Sequence, residues 1–233
     1  MLALGLFILP HLSNLQIPGW LSYSEITWPV VLICIFFLPN LAIVAYHPIP
    51  FFAQAWSVGV EEQFYLIWPF LIKMIKQIAW VFLTIIFIML AIRLALFPIL
   101  KLKFHLQGNH YFKIWKTFFD DFLIDTMAIG GLFAYAHFKK MKIVTFFYHP
   151  IVQITTYGLI VYFIATGRFL PFIISSFQQT CMNLFFAFLY GILILNVSTN
   201  PKANVRWFNN PVFDYLGKIS YGIYMYHSLI IVV

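Results

Sequence analysis

Long runs of apolar residues, separated by short polar intervals, recur along the chain. Runs of this kind near 20 residues long can cross about 30 Å of hydrocarbon as an α-helix. The pattern predicts an all-α, polytopic transmembrane helix bundle with about seven full spans and a partial first one. After the partial span at 2–12, the predicted full spans lie at about 27–46, 56–75, 78–98, 120–138, 148–166, 177–197 and 212–233. The polar interval at 99–119 is interleaved with aromatic residues and predicts an amphipathic segment on the membrane surface.

The composition narrows the class of protein further. Hydrophobic residues make up 63% of the chain and charged residues only 9%, whereas soluble domains carry about 25% charged residues. The formal net charge of +7 does not indicate nucleic-acid binding, because the basic residues fall mostly between apolar runs, where they anchor helices at lipid surfaces. The expected partner is therefore the lipid bilayer.

The distribution of basic residues predicts an orientation. If the spans alternate sides, one side carries the eight residues Lys73, Lys76, Lys139, Lys140, Lys142, Lys202, Arg206 and Lys218. The other side carries the five residues Lys101, Lys103, Lys113, Lys116 and Arg168. Because cytoplasmic loops are enriched in Lys and Arg, the eight-residue side is predicted to be cytoplasmic.

Residues 56–69, WSVGVEEQFYLIWP, place two adjacent carboxylates at the edge of an apolar run. An ionised carboxylate at the centre of a bilayer costs roughly 2.5 to 3.5 kcal/mol. Neighbouring residues on a helix do not face each other, so Glu61 and Glu62 cannot act as a facing pair. Instead, one face would carry Ser57, Glu61, Tyr65 and Trp68, with Glu62 directed to a different neighbour. The structural alternative is an interfacial helix start with solvated carboxylates.

Two further segments carry candidate chemistry. In residues 216–227, LGKISYGIYMYH, helical spacing places Ser220, Tyr224 and His227 on one face. Asp125 precedes a Gly130–Gly131 pair inside another predicted span. The alternatives are that His227 is a hydrogen-bonded packing residue, that Asp125 is held by backbone or Lys contacts, and that the glycines allow close helix packing.

These segments carry a family resemblance. Residues 56–69 resemble the W-S-L-S-V-E-E-Q-F-Y-L-x-W-P motif of acyltransferase family 3, with Gly59 in place of the second Ser of the motif. The members of this family are bacterial membrane enzymes that O-acylate sugars of surface polysaccharides, lipopolysaccharide, peptidoglycan or secreted glycosides. Residues 216–227 are similar to the family's L-G-x-x-S-Y-x-x-Y-L-x-H segment. The region around Asp125 is similar to its R-x-D-x-L-x-x-G-x-L-x-A segment. Leu123 stands at the Arg position, which removes a plausible charge partner for Asp125.

The resemblance implies a bacterial inner-membrane O-acyltransferase. It would transfer an acyl group from an acyl-CoA donor to a sugar hydroxyl without a bound cofactor. The expected acyl group is acetyl, and the expected donor is acetyl-CoA. It implies catalytic roles for Glu61, Glu62 and His227. Substrate-binding or site-supporting roles are implied for Trp56, Ser57, Gln63, Tyr65, Asp125, Ser220, Tyr221 and Tyr224. No metal site is expected, because no zinc-ligand spacing relates the connector histidines His47, His105, His110 and His149.

The resemblance also implies residues that this chain lacks. The family's leading base candidate is an early intramembrane His preceded by Arg, and an Arg-x-x-Arg pair is associated with the acyl donor. Residues 1–46 contain neither Arg nor Lys. We therefore expect residues 1–233 to be a single acyltransferase-like membrane domain, truncated at the N-terminus and inactive alone. Its end inside an apolar run leaves C-terminal truncation open. The alternatives are a non-catalytic membrane protein, such as a transporter or assembly subunit, and an inactive remnant of the enzyme.

Overall fold

A computed structural model describes residues 28–46, 55–105, 108–167, 176–203 and 210–232. Throughout these ranges the chain forms helices joined by short turns, and no strand occurs in them. The prediction of an all-α fold is therefore confirmed. The partial span at 2–12 and the connector residue His47 lie outside the described residues.

The helices follow one another closely, which fits a chain rich in apolar and aromatic residues and poor in long polar loops. A five-residue π-helical segment, Ile92–Leu96, joins α4 to α5 without a break. The helix bounds are α1 Trp28–Ile35, α2 Pro39–Tyr46, α3 Ala55–Met74, α4 Ile78–Ala91, α5 Phe97–Lys103, α6 His110–Asp121, α7 Ile124–Phe138, α8 Lys142–Phe147, α9 Pro150–Thr166, α10 Ser176–Thr199 and α11 Pro211–Val232.

The chain divides into two compact units. The first comprises residues 1–73 and 209–233, and so contains α1, α2, nearly all of α3, and α11. Here α1 and α2 form a short hairpin around buried Val30 and Ala42. A Cβ built on Gly59 would lie 2.5 Å from Cγ of Pro39, so only glycine lets α3 approach the start of α2 this closely.

The second unit comprises residues 74–208, with α7 packed between α4 and α10. Two glycines allow these close contacts: a Cβ on Gly131 would lie 2.0 Å from the Phe82 ring, and one on Gly191 would lie 2.4 Å from the Phe133 ring. The main core cluster consists of Phe133, Ala136, Val144, Phe147, Ile192 and Leu195. The predicted packing role of the glycine pair therefore holds for Gly131.

Two helices within the described ranges are long and apolar enough to cross a membrane, Ile78–Lys103 and Phe177–Thr199, and Pro150–Thr166 is a shorter apolar helix. Only 17% of the most apolar window of Ile78–Lys103 is buried inside the protein. Its apolar side chains therefore face outward, as expected for a helix surrounded by lipid rather than for the core helix of a soluble domain. The larger number of spans stays a prediction.

Three of the predicted spans differ from the helices of the structure. The span at 27–46 is not one continuous helix, because α1 ends at Ile35 and α2 begins at Pro39, with a turn between them. The span at 78–98 continues to Lys103, because the π-helical segment carries the helix past Pro98. The span at 120–138 does not begin at Asp120 and Asp121, which instead end α6, while α7 begins at Ile124. The short break between α6 and α7 is stabilised by Arg93, a residue distant in sequence.

Candidate functional site

The motif segments on α3 and α11 meet in the first unit through a hydrogen bond. Ser57 Oγ and Tyr224 OH lie 2.5 Å apart, and either atom can donate. The two residues are 167 positions apart in sequence, and each was predicted separately as a site residue. The structure therefore brings together residues from two of the three motif segments.

His227 lies one turn after Tyr224 and has a defined tautomer. Its Nδ1 is 2.5 Å from the backbone oxygen of Tyr224, and a carbonyl oxygen can only accept a hydrogen bond. Nδ1 must therefore carry a hydrogen, and in the neutral form of the imidazole the lone pair is then on Nε2. The Tyr224 and His227 rings are 5.7 Å apart, so Tyr224 contacts both Ser57 and His227.

The other predicted residues of this unit differ in exposure. Glu61 and Glu62 are both exposed, and within the described residues neither carboxylate makes an ion pair. Tyr65 and Tyr221 are exposed by 61% and 62%, whereas Trp56 is half-buried. Because α3 is continuous from Ala55 to Met74, Ser57, Glu61, Tyr65 and Trp68 do share one face of it.

Two predicted residues use their side chains in hydrogen bonds within this unit. Gln63 Nε2 donates to Phe37 O at 2.6 Å and to Asn40 Oδ1 at 3.2 Å, which ties α3 to the turn between α1 and α2. Ser220 Oγ donates to Gly217 O at 2.8 Å within α11. Among the predicted supporting residues, Gln63 therefore positions α3, and Ser220 satisfies its own helix.

Asp125 forms a buried ion pair in the second unit. Arg93 Nη1 lies 2.7 Å from Asp125 Oδ2, and the two residues are only 2% and 0% exposed. The inference that Leu123 deprives Asp125 of a charge partner was wrong, because Arg93 supplies the guanidinium from another helix. The alternative that backbone or Lys contacts hold Asp125 is also wrong.

Arg93 uses its remaining donors to stabilise the junction between α6 and α7. Its Nε donates to Phe119 O and its Nη2 to Phe122 O, each at 2.8 Å. A cation at the end of α6 and a carboxylate in the first turn of α7 both suit the helix dipoles. At the same helix end, Lys116 forms a salt bridge with Asp120. The end of α6 leaves carbonyl oxygens without partners inside the helix, and Arg93 supplies hydrogen bonds to two oxygens at the break.

Sequence reasoning missed two polar residues of this unit. No role was predicted for Arg93, although a lone charge in an apolar run is itself a signal of a buried partner. His137 was not considered. It forms a polar chain in which Tyr148 OH lies 3.3 Å from His137 Nδ1 and 2.7 Å from Thr199 Oγ1, and its helical neighbours carry no polar periodicity that predicts this.

The comparisons with known proteins give one finding. A family model described as an acyltransferase domain matches residues 2–233, and so covers all three motif segments. Comparison with the curated proteins and with the solved structures found no match.

Proposed function

Since the chain belongs to acyltransferase family 3, whose proteins are membrane acyltransferases, we propose that it transfers an acyl group to a sugar hydroxyl. The donor is an acyl-CoA, with acetyl-CoA the first to test, and the acceptor is a sugar of the bacterial cell envelope or a secreted glycoside. The single observation that supports this assignment most is the contact between Ser57 and Tyr224, because it joins the family's two polar motifs into one surface.

The reaction requires a base and a donor for developing charge. The sugar oxygen attacks the thioester carbonyl while its proton passes to the base, and a new C–O bond forms. The tetrahedral intermediate then releases the CoA thiolate, which takes up a proton to give the ester and CoA. A positioned base contributes roughly 10²- to 10⁴-fold to such a step, and hydrogen-bond donors to the oxyanion contribute further.

We assign the base to His227. Its Nδ1–H is fixed on the Tyr224 carbonyl, so Nε2 is the nitrogen able to accept the hydroxyl proton. This is the arrangement by which a backbone acceptor sets the tautomer of a basic imidazole. Tyr224 OH and Ser57 Oγ then act as positioning groups and as hydroxyl donors near the reacting atoms. The absence of the N-terminal motif residues led us to expect an inactive chain. The geometry of His227 supports a different proposal, in which residues 1–233 contain their own base and are active by themselves.

An acetyl-transfer assay tests the assignment of His227. We expect the purified chain in lipid to transfer labelled acetyl from acetyl-CoA to a sugar acceptor, and His227→Gln to lower the rate roughly 10²- to 10⁴-fold with its thermal unfolding unchanged. His110→Gln is the matched control, because His110 is exposed at the start of α6. An inactive wild-type chain would favour the inactive remnant, and an active His227→Gln chain would move the base elsewhere.

The two carboxylates are assigned different roles. Glu61 shares its face with Ser57 and Tyr65, and we expect it to bind or polarise the acceptor hydroxyl, whereas Glu62 points away from this face. Glu61→Gln is therefore expected to lower the acetyl-transfer rate by roughly 10²-fold or more, and Glu62→Gln to have the smaller effect. The reverse order in the same assay would show that the catalytic face of α3 has been chosen wrongly.

A further inference from the structure

A groove of about 770 Å³ lies between α7 and α10 in the second unit, and none of its lining residues is assigned to catalysis. This volume falls within the roughly 300–1,000 Å³ of pockets that bury small ligands. Its walls are formed mainly by apolar and small side chains, including Gly130, Phe133 and Ile194. At one end it meets His137, Lys140 and Thr199. The groove is therefore apolar along its length and polar at one end.

Gly130 keeps the groove open. A Cβ built on Gly130 would meet no atom within 4 Å, whereas one on its neighbour Gly131 would collide with the Phe82 ring. The floor is closed by Phe133, which lies directly over Gly191. Two adjacent glycines thus have opposite roles, one in packing and one in leaving space beside the helix.

Lys140 is held at the mouth by an unusual backbone conformation. Its φ is 50°, in the left-handed region that favours glycine. The amide of Lys140 donates to His137 O and that of Met141 to Ala136 O, each at 2.9 Å, which is the hydrogen-bond pattern that ends many helices at a glycine. The positive φ strains the backbone of a lysine but would not strain that of a glycine. The presence of lysine here therefore makes its side chain a candidate for a function at the mouth of the groove.

The charge at this end is positive. Lys139 and Lys142 flank Lys140 in sequence and are exposed, and no Asp or Glu is among the residues that line the groove in the described structure. His137, Tyr148 and Thr199 add a chain of polar groups. An anionic group would find a cation and several hydrogen-bonding atoms within this end of the groove.

The groove opens onto a surface suited to lipid. Its α10 wall belongs to Phe177–Thr199, one of the two candidate membrane spans, and Ile194 on that wall is 63% exposed. The apolar wall thus continues onto the outward surface of the span, and the cations stand where the span ends. Basic pockets between transmembrane helices bind anionic lipid head groups in this way.

We propose that the groove between α7 and α10 binds an anionic glycerophospholipid of the surrounding bilayer. One acyl chain lies along Gly130, Phe133 and Ile194, and the phosphate contacts Lys140 at the mouth. The order of apolar and charged groups in the groove matches that of the lipid itself. The proposal does not depend on the acyl-transfer activity, since none of its residues belongs to the catalytic assignment.

Lipid titration followed by native mass spectrometry of the detergent-purified full chain tests the proposal. The probes are phosphatidylglycerol and phosphatidylcholine with identical acyl chains. We expect the wild-type chain to prefer phosphatidylglycerol by about fivefold or more, the contribution of one lysine near an anionic lipid. Lys140→Gln should abolish most of this preference. Lys101→Gln, which removes an exposed lysine of α5 outside the groove, should leave it unchanged.

A second pair of variants tests the groove itself. Gly130→Leu would fill the groove without a backbone clash, and we expect at least tenfold weaker binding of both lipids with no loss of thermal stability. Gly158→Leu is the matched control. A Cβ on Gly158 also meets nothing within 4 Å, but Gly158 lies on α9 and does not line the groove. Equal wild-type affinity for the two lipids, or lipid binding unaffected by Gly130→Leu, would overturn the proposal. The proposal would also be overturned if palmitoyl-CoA bound more tightly than phosphatidylglycerol and displaced it, because the groove would then be assigned to an acyl thioester.

Discussion

Arg93 and Asp125 in the second unit, and Ser57, Tyr224 and His227 in the first, are both clusters of polar side chains among apolar residues. The Arg93–Asp125 pair is almost fully buried, and its guanidinium donates to a carboxylate and two backbone oxygens. In the other cluster Tyr224 is 38% exposed, and His227 contacts the Tyr224 carbonyl through Nδ1. The Arg93–Asp125 pair, the saturated cluster, stabilises a helix junction. The partly exposed group of Ser57, Tyr224 and His227, the open cluster, can be reached by a substrate.

Removing the carboxylate of Asp125 tests the saturated cluster, and has the largest expected effect on stability. Asp125→Ala leaves the Arg93 guanidinium buried without its ion pair, and breaking a buried pair costs about 3–5 kcal/mol. We expect this loss in chemical unfolding of the detergent-purified chain. Asp214→Ala, an exposed Asp in the first turn of α11, is the matched control and should cost at most about 1 kcal/mol.

Replacing both members of the pair distinguishes structural from functional use of these charges. Apolar residues of similar volume often replace a buried ion pair at little cost. Arg93→Met with Asp125→Leu should therefore recover part of the stability that Asp125→Ala loses, but not all of it. The oxygens of Phe119 and Phe122 would still lack their donor. A loss below about 1 kcal/mol for Asp125→Ala alone would contradict the structural role.

The difference between the clusters also explains what the sequence could predict. The spacing of Ser57 with Glu61 and of Tyr224 with His227 follows from helical periodicity, so each face could be predicted from local order alone. The starts of α9, α10 and α11 lie within two residues of the predicted spans. The pairing of Arg93 with Asp125 could not be predicted, since it joins positions 32 residues apart across a helix break that the pair itself stabilises.

The contact of Ser57 with Tyr224 shows a second limit. Each residue could be predicted for its own motif, but their meeting depends on the packing of α3 and α11 at opposite ends of the chain. The close approach of Gly59 to Pro39 is a further tertiary effect. From the sequence alone, Gly59 was only a departure from the family motif. The structure gives it a reason, because a side chain at this position would meet the ring of Pro39.

Substitution of Gly59, where α3 packs against Pro39, should lower the stability of the protein, as substitution of Asp125 does. Gly59→Ser restores the residue of the family motif, but its Cβ would lie 2.5 Å from Pro39 Cγ, and overpacking of this kind costs about 1–3 kcal/mol. Gly217→Ser on α11, where a Cβ meets nothing within 4 Å, should be neutral or slightly stabilising in thermal unfolding. Adding Pro39→Ala to Gly59→Ser removes the clashing ring atoms and should restore stability; failure to do so would locate the strain elsewhere.

The open cluster should show the smallest effect on stability and a measurable coupling. Ser57→Ala and Tyr224→Phe each remove one hydroxyl of the hydrogen bond between α3 and α11, and a net hydrogen bond is worth about 0.5–1.5 kcal/mol. Because the two residues are in contact, the double variant should lose less than the sum of the single losses. Chemical unfolding of the four proteins gives this coupling energy, and the acetyl-transfer rates of the same proteins give its catalytic counterpart. If the hydroxyls only join the helices, the rates should follow stability. If they also position His227 and the acceptor, each single variant should lose more of its acetyl-transfer rate than its loss of stability explains. Stability losses that simply add in the double variant would mean that the contact between Ser57 and Tyr224 does not form in the protein in solution.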